Sequence, residues 1–146
     1  MHFRRVGGND RAPVALRCLA VQLLGELRDA DAVSVLTDSL AENDADLQRA
    51  AHRALVQITK QDLGVSAAAW ETWAAKSGGA HRVEWLIDAI THDDDTLRRE
   101  AGEELKTITK EYFGFQSALP RKELEVVQRK YRKWWDTIGR TRFVRP

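Results

Sequence analysis

The sequence has almost none of the cysteine that holds small secreted proteins together. Its 146 residues include one, Cys18, which excludes an internal disulfide. Because Cys18 lies in an apolar helical run, we expect a buried thiol rather than a reactive one. The residues after Met1 contain no apolar core of signal-peptide length, and no run reaches the roughly 18 apolar residues of a membrane span. We therefore expect a cytoplasmic protein with no membrane segment.

Catalytic and metal-binding motifs are also missing. No G-x-S-x-G, Walker-type or G-x-G-x-x-G motif occurs. The histidines lack H-E-x-x-H spacing and have no paired cysteines beside them; they are His2, His52, His81 and His92. Residues 93–95 are three aspartates, but the alternating ligands, central glycine and terminal glutamate of a calcium loop are absent. We expect a non-enzymatic protein without cofactor or metal.

The chain has no overall excess of charge, with 23 basic and 22 acidic residues, but charge is unevenly distributed. Residues 29–46 and 84–104 each carry a net charge of minus six, whereas residues 115–146 carry plus six. The overall balance favours neither nucleic acid nor an acidic substrate. The basic C-terminal stretch is either a solvated face or a docking surface for an acidic protein or a phosphate backbone.

What the sequence does contain is a repeat. Residues 31–64 and 81–114 align without a gap, and twelve of thirty-four positions are identical. The identities begin at Val33/Val83 and end in a shared Ile-Thr-Lys-x-x-x-Gly, which closes at Gly64 and Gly114. Self-similarity at a fixed period is typical of stacked repeats, in which no copy buries its apolar face alone.

The apolar spacing within each copy predicts a helix pair. A short helix over about residues 31–41 is followed by an acidic corner, where Asp44 and its counterpart Asp94 can cap a long helix. A third, partial copy is indicated near the N-terminus, where Asn9 or Asp10 could cap a helix. Its apolar residues, three and four apart, predict one buried stripe of Leu16, Leu19, Ala20, Leu23, Leu24 and Leu27.

An aromatic segment follows each long helix and its glycine, which we expect in a left-handed conformation. In the first copy, Trp70 and Trp73 are three residues apart. In the second, a helix over about residues 120–138 buries a stripe of Leu124, Val127, Tyr131, Trp134 and Ile138. Such aromatics could stack on nucleic-acid bases, but we expect them in the core.

The helix pairs, the L-x-x-A-A-x-x-A-L-x-x-I stripe and the spacing of Asp44 to Arg49 and Asp94 to Arg99 resemble the HEAT repeat. They resemble in particular the short bacterial HEAT-like repeats related to phycobilisome lyase proteins. The resemblance covers about residues 12–114. It implies that the four residues of these two pairs form a polar ladder between stacked repeats.

We therefore predict an all-α fold, an α-α superhelix of about two and a half HEAT-like repeats in a single domain. Residues 1–8 form a flexible arm and residues 9–28 a half repeat. Residues 31–79 form a repeat with the W-x-x-W insert, residues 80–139 a repeat with a long C-terminal helix, and residues 140–146 a basic tail.

Three functions fit this architecture. The favoured one is an interaction module or scaffold for an unknown protein partner. The second is nucleic-acid binding through the basic C-terminal helix and tail, and the third is self-association through the leucine-rich N-terminal half repeat. The candidate partner-binding residues are Gln48, His52, Arg53, Arg98, Lys106, Lys122, Arg129, Arg132, Lys133, Arg140, Arg142 and Arg145.

Overall fold

The computed structural model describes residues 2–9 and 12–144, which form helices and connecting loops with no strand among them. The predicted all-α class is therefore confirmed. The chain splits into two compact units, Met1–Gly79 and Ala80–Pro146; that they belong to a single domain stays a prediction. Within the two described ranges, no helix is long and apolar enough to cross a membrane.

The first unit contains five helices in its described part. They are α1 (His2–Gly8), α2 (Val14–Glu26), α3 (Val33–Leu40), α4 (Ala45–Thr59) and α5 (Ala67–Ser77), with a 3₁₀ turn at Ala30–Ala32 before α3. Helix α2 packs against α1 and α4, and α3 packs against α1, α4 and α5. A Cβ at Gly25 would lie 2.8 Å from the Ala54 Cα, so α2 and α4 approach closely there.

The second unit repeats the helix pair and extends it. Its elements are α6 (Arg82–Ala89), α7 (Asp95–Thr109), α8 (Arg121–Trp134), a π-helical turn (Trp135–Gly139) and α9 (Arg140–Phe143). A single apolar core joins these helices and the loop before α8. Its largest members are Leu86, Ile87, Ile90, Leu105, Phe115, Leu124, Val127, Tyr131, Trp134 and Trp135.

The N-terminal segment is not the loose arm that we expected, because residues 2–8 form α1. The Arg4 side chain pairs with Asp29 at 2.7 Å, and Arg17 donates to the Gly7 carbonyl at 3.1 Å. These contacts hold α1 on α2 and on the loop that follows α2. The expected cap of α2 is also corrected, since α2 begins after Pro13 without a side-chain cap; Asp10 lies outside the described residues.

Helix α2 buries only part of the predicted stripe, and it buries Arg17 and Val21 instead of the rest. Leu16, Leu19 and Leu27 are 48%, 52% and 64% exposed, whereas Arg17, Ala20, Val21 and Leu24 are buried. The helix is apolar on two adjacent faces, so spacing alone could not identify which of them meets α4. The leucines of the predicted stripe therefore lie largely on the surface.

The predicted caps of the two long helices are confirmed. Asp44 Oδ1 accepts a hydrogen bond from the Leu47 N–H at 2.9 Å, and Asp94 Oδ1 accepts one from the Leu97 N–H at 3.1 Å. Within each unit, Arg49 and Arg99 do not form the polar ladder that the HEAT resemblance implies. Arg49 pairs with Asp46, and Arg99 pairs with Asp95 at 3.1 Å, each within its own helix.

The recurring Ile-Thr-Lys-x-x-x-Gly segment ends both long helices in the same way. The Thr59 hydroxyl donates to the Leu55 carbonyl at 2.8 Å and accepts from the Gln61 N–H at 3.1 Å. Thr109 repeats both hydrogen bonds, to Leu105 and Glu111. The residue immediately after each helix is a left-handed lysine, Lys60 or Lys110, and Gly64 and Gly114 also have positive φ. The repeated motif is thus a helix-terminating turn.

The last helix departs from the predicted pattern after Trp134. The Arg140 N–H bonds to the Trp135 carbonyl five residues back, as in a π-helix. This wider turn shifts the helical phase by one residue, so Gly139 is buried and Ile138 is 53% exposed. Leu124, Val127, Tyr131 and Trp134 are buried as predicted, but Ile138 is not.

Candidate interaction surfaces

An apolar groove lies between α1 and α2. It has about 250 Å³ of space open to solvent and is lined by Phe3, Val6, Leu16, Leu19, Ala20 and Leu23. We call these six residues the leucine groove. Phe3, Leu16 and Leu19 are 37%, 48% and 52% exposed, so apolar carbon remains in contact with water. All six lining side chains are apolar and none offers a polar group that could orient a cofactor, so the groove suits side chains of a macromolecule better than a cofactor.

Arg17 holds the two helices of the groove in place. Its guanidinium is buried and donates from Nη1 to Glu42 Oε1 at 2.7 Å and from Nη2 to the other carboxylate oxygen. Its Nε donates to the Gly7 carbonyl at the end of α1. The hydrogen bonds from Arg17 lower the pKa of the Glu42 carboxyl, although partial burial opposes the shift. The Arg17–Glu42 ion pair and the hydrogen bond to Gly7 therefore connect α1, α2 and the loop after α3.

The predicted binding residues of α4 differ in their exposure. Gln48 is half-buried and donates to the Glu42 carbonyl at 2.6 Å. His52 Nε2 lies 2.7 Å from Asp62 Oδ1, which also accepts from the Gly64 N–H. Arg53 is exposed beside a shallow depression lined by Gln22, Ala50, Ala54 and Gln57. Of the three, Arg53 is the most available to a partner.

The predicted binding residues of α7 divide in the same way. Arg98 is largely engaged within its unit, because its guanidinium donates to the carbonyls of Ser117 at 2.8 Å and His92 at 2.7 Å. It also pairs with Asp95 at 2.8 Å. Lys106 is exposed, with its Nζ 5.1 Å from the centroid of the Tyr112 ring. Arg98 therefore links α7 to the loop before α8, and Lys106 lies on the surface.

The cations near the C-terminus fall into two groups. Arg132 pairs with Asp88 at 2.5 Å, Arg140 with Asp136 at 3.1 Å, and Arg142 lies 4.0 Å from Glu111 and over the Trp134 ring. Lys122, Arg129 and Lys133 are exposed, and no carboxylate among residues 2–9 and 12–144 forms an ion pair with them. Arg145 lies outside the described residues.

The aromatic side chains that the sequence predicts in the core are buried or half-buried. Trp70 is fully buried, and its Nε1 donates to the Gly64 carbonyl at 2.9 Å, while Trp73 lies edge-on to it at 6.0 Å. The Tyr131 hydroxyl donates to the Glu111 carbonyl at 2.9 Å, and burial raises the pKa of Tyr131 to about 12. In both units, an aromatic side chain thus anchors the loop after the long helix, which leaves these rings unavailable for stacking on bases.

Cys18 and His81 have shifted pKa values in the described part of the chain. No three His, Cys, Asp or Glu residues there could hold a metal ion. Burial and the nearby Asp44 and Asp46 raise the pKa of the half-buried Cys18 thiol, which disfavours the nucleophilic thiolate. Burial lowers the pKa of His81, whose Nδ1 accepts from the Val83 N–H as a helix cap.

Lys130 is a surface residue of interest that sequence reasoning missed. The apolar pair Phe3 and Val6 lies in α1, which places it beside the α2 leucines. Lys130 is exposed and, like Lys133, lies on the solvent side of α8. The chain matches no protein-family model, no curated protein and no solved structure.

Proposed function

We propose that this chain is a non-enzymatic interaction module of HEAT-like helix pairs that binds a partner protein through the leucine groove. The observation that carries the proposal is the exposure of Phe3, Leu16 and Leu19 around one groove. Fully burying a side chain of this type contributes about 1.5–3 kcal/mol relative to leaving it in water. A contiguous apolar surface of this kind is typical of a binding site.

The occupant that fits best is an amphipathic helix of the partner. Leu16, Leu19 and Leu23 on α2 and Leu27 at its C-terminal cap follow one another at spacings of three, four and four residues. Such a row on one side of a helix, with a second helix beside it, receives the apolar ridge of a third helix. Before Glu26, α1 and α2 carry no acidic residue, and Arg5 is exposed. Carboxylates flanking the apolar face of the partner helix would therefore add to binding.

The test is affinity capture from source lysate with a charge-insertion variant. Leu16→Glu/Leu19→Glu places two carboxylates on exposed positions of the groove, so folding should be retained while an apolar partner is rejected. The matched control is Ile138→Glu/Val126→Glu, which adds the same charge at exposed apolar positions of the second unit. The proposal requires a specific partner that is captured by wild type and control and lost from the groove variant. A capture profile unchanged by the groove variant contradicts it.

A second copy of the chain is the competing occupant of the groove, as in the self-association hypothesis. Light scattering across a range of protein concentrations separates the two. We expect a monomeric mass for wild type and for Leu16→Glu/Leu19→Glu alike. A dimer that the groove substitutions convert to monomer would assign the groove to self-assembly and overturn the proposed function.

A further inference from the structure

The solvent side of α8 carries a row of cations that the second unit does not neutralise. Lys122, Arg129 and Lys133 are exposed and have no ion-pair partner in the described part of the chain. Arg121, on the same helix, pairs with Asp93 at 3.1 Å and Glu125 at 3.4 Å. The internal ion pairs therefore leave a defined subset of the basic residues available for an external anion.

These three cations lie in one line. Together with Val126 they occupy positions four, three and four residues apart, which is one side of an α-helix. The buried stripe, which includes Leu124, Val127 and Tyr131, faces the other way. Since a helix rises about 1.5 Å per residue, Lys122 and Lys133 are separated by about 16 Å along the axis. We call Lys122, Arg129 and Lys133 the basic stripe.

We propose that the basic stripe binds the phosphate backbone of duplex nucleic acid without reading its base sequence. A straight row of point charges suits a linear polyanion, whose phosphates each take one cation and release condensed counterions. Tyr131 and Trp134 are buried in the core, so no aromatic ring of α8 is available to stack on an unpaired base. The chemistry therefore fits a double-stranded backbone better than a single strand.

The composition of the stripe argues against the other anionic partners. Binding sites for proteins are depleted in lysine and enriched in aromatic side chains, whereas the stripe has two lysines, one arginine and only Val126 as an apolar neighbour. Insertion of a helix into a membrane surface needs an apolar face, and the apolar face of α8 is occupied by the core of its own unit. Phosphate contacts alone remain as the source of affinity.

Three phosphate contacts predict a specific salt dependence. The logarithm of the binding constant should fall with the logarithm of salt concentration at a slope of about −2.7, or about 40-fold between 50 mM and 200 mM salt. Lys130 is exposed beside the stripe, and a contribution from it would steepen the slope by about one. The affinity should depend little on base sequence.

The experiment is fluorescence anisotropy of the full chain with a labelled duplex oligonucleotide across that salt range. Lys122→Gln/Arg129→Gln/Lys133→Gln should bind at least about tenfold more weakly at 50 mM salt, with almost no remaining salt dependence. The matched control is Arg49→Gln/Lys76→Gln/Arg99→Gln, which removes the same net charge from exposed positions outside α8 and the leucine groove. The control should keep the wild-type slope, and circular dichroism should show both variants folded.

Three outcomes would overturn the proposal. The first is no anisotropy change at micromolar protein in low salt. The second is an equal loss of binding in the stripe and control variants, which would show that binding depends on net charge and not on the position of the cations. The third is binding to vesicles of anionic lipid that exceeds binding to the duplex. The leucine groove is not altered by these substitutions, so failure here is distinguishable from failure of the proposed function.

Discussion

Arg17 is the residue on which the arrangement of the first unit most depends. Its buried guanidinium joins the end of α1 to Glu42 through three hydrogen bonds. A charge taken out of water at this depth is tolerable only when its donors are satisfied. Since α1 forms one side of the leucine groove, the shape of that groove depends on an ion pair.

The Arg17–Glu42 pair predicts how stability depends on pH. The Glu42 pKa in the folded chain is below its ordinary value of 4.5, so the unfolded chain binds more protons in acid. The contribution of the pair is complete above the unfolded pKa and is lost as the pH falls toward the lower folded pKa. Urea unfolding from about pH 6 to about pH 3 should therefore show falling stability.

Glu42→Gln isolates this effect. At pH 6 we expect it to lower the free energy of unfolding by about 1–3 kcal/mol, because Arg17 stays buried while the Glu42 side chain is partly exposed. Its acid-induced loss of stability should be shallower than that of wild type. Glu71→Gln, at an exposed position of α5, is the control and should follow the wild-type curve. Parallel curves for wild type and Glu42→Gln would refute the role of the pair.

In the second unit, core packing depends on the absence of a side chain at Gly102. A Cβ added there would lie 2.1 Å from Cε1 of the Phe115 ring, so the ring or α7 must move. We expect Gly102→Ala to lower the free energy of unfolding by about 1–3 kcal/mol despite the better helix propensity of alanine. Gly79→Ala, where nothing lies within 4 Å, is the control in thermal unfolding. Equal melting temperatures would contradict this packing.

At the scale of elements, the two long helices begin and end by the same local chemistry. Asp44 and Asp94 cap their first turns, and Thr59 and Thr109 close their last ones. These contacts involve residues at most four apart in the chain and use four of the twelve positions that are identical between the copies. At three more, the residue is buried in both copies; they are Val33, Leu36 and Ala51. The repeat therefore encodes helix boundaries more than a binding site.

Removing one cap tests whether the repeated residues stabilise the helix ends. Asp44→Ala should lower the free energy of unfolding by about 1 kcal/mol, whereas Asp44→Asn, which keeps an acceptor, should cost a few tenths. Asp46→Ala is the control, because Asp46 makes only an exposed pair with Arg49 and such pairs contribute little. Denaturant unfolding of the three variants gives the comparison. A loss for Asp46→Ala as large as that for Asp44→Ala would contradict the assignment.

Local contacts also explain which elements could be predicted. The caps and the buried stripes of α4 and α8 follow from spacing within one helix, and the sequence predicts them correctly. The exposure of the α2 leucines does not follow from spacing, because α2 has two apolar faces. Which face is covered depends on how α1 and α4 pack against it. Likewise Ile138 is exposed because a π-turn shifts the phase, and that turn depends on the packing of Trp134, Trp135 and Phe143.

At the scale of the whole molecule, the two candidate surfaces have different chemistry and belong to different units. The leucine groove is apolar and lies in Met1–Gly79, while the basic stripe is cationic and lies in Ala80–Pro146. The sequence predicted the basic helix and suggested self-association through the leucine-rich half repeat, but it placed the leucines in a buried stripe. It could not identify which cations are neutralised, because Asp88 and Asp93 are distant from α8 in the chain.

The division into units predicts that residues 80–146 fold when expressed alone. All thirteen buried members of the main core of this unit, including the fully buried Leu105, come from within the segment. A chain of this size buries only about 60% of its unfolded surface, so we expect modest stability but a cooperative thermal transition. Leu105→Asp in the same segment is the control and should abolish the transition, because it places a charge in that core. A helical but non-cooperative wild-type segment would show that its core is incomplete without residues 1–79.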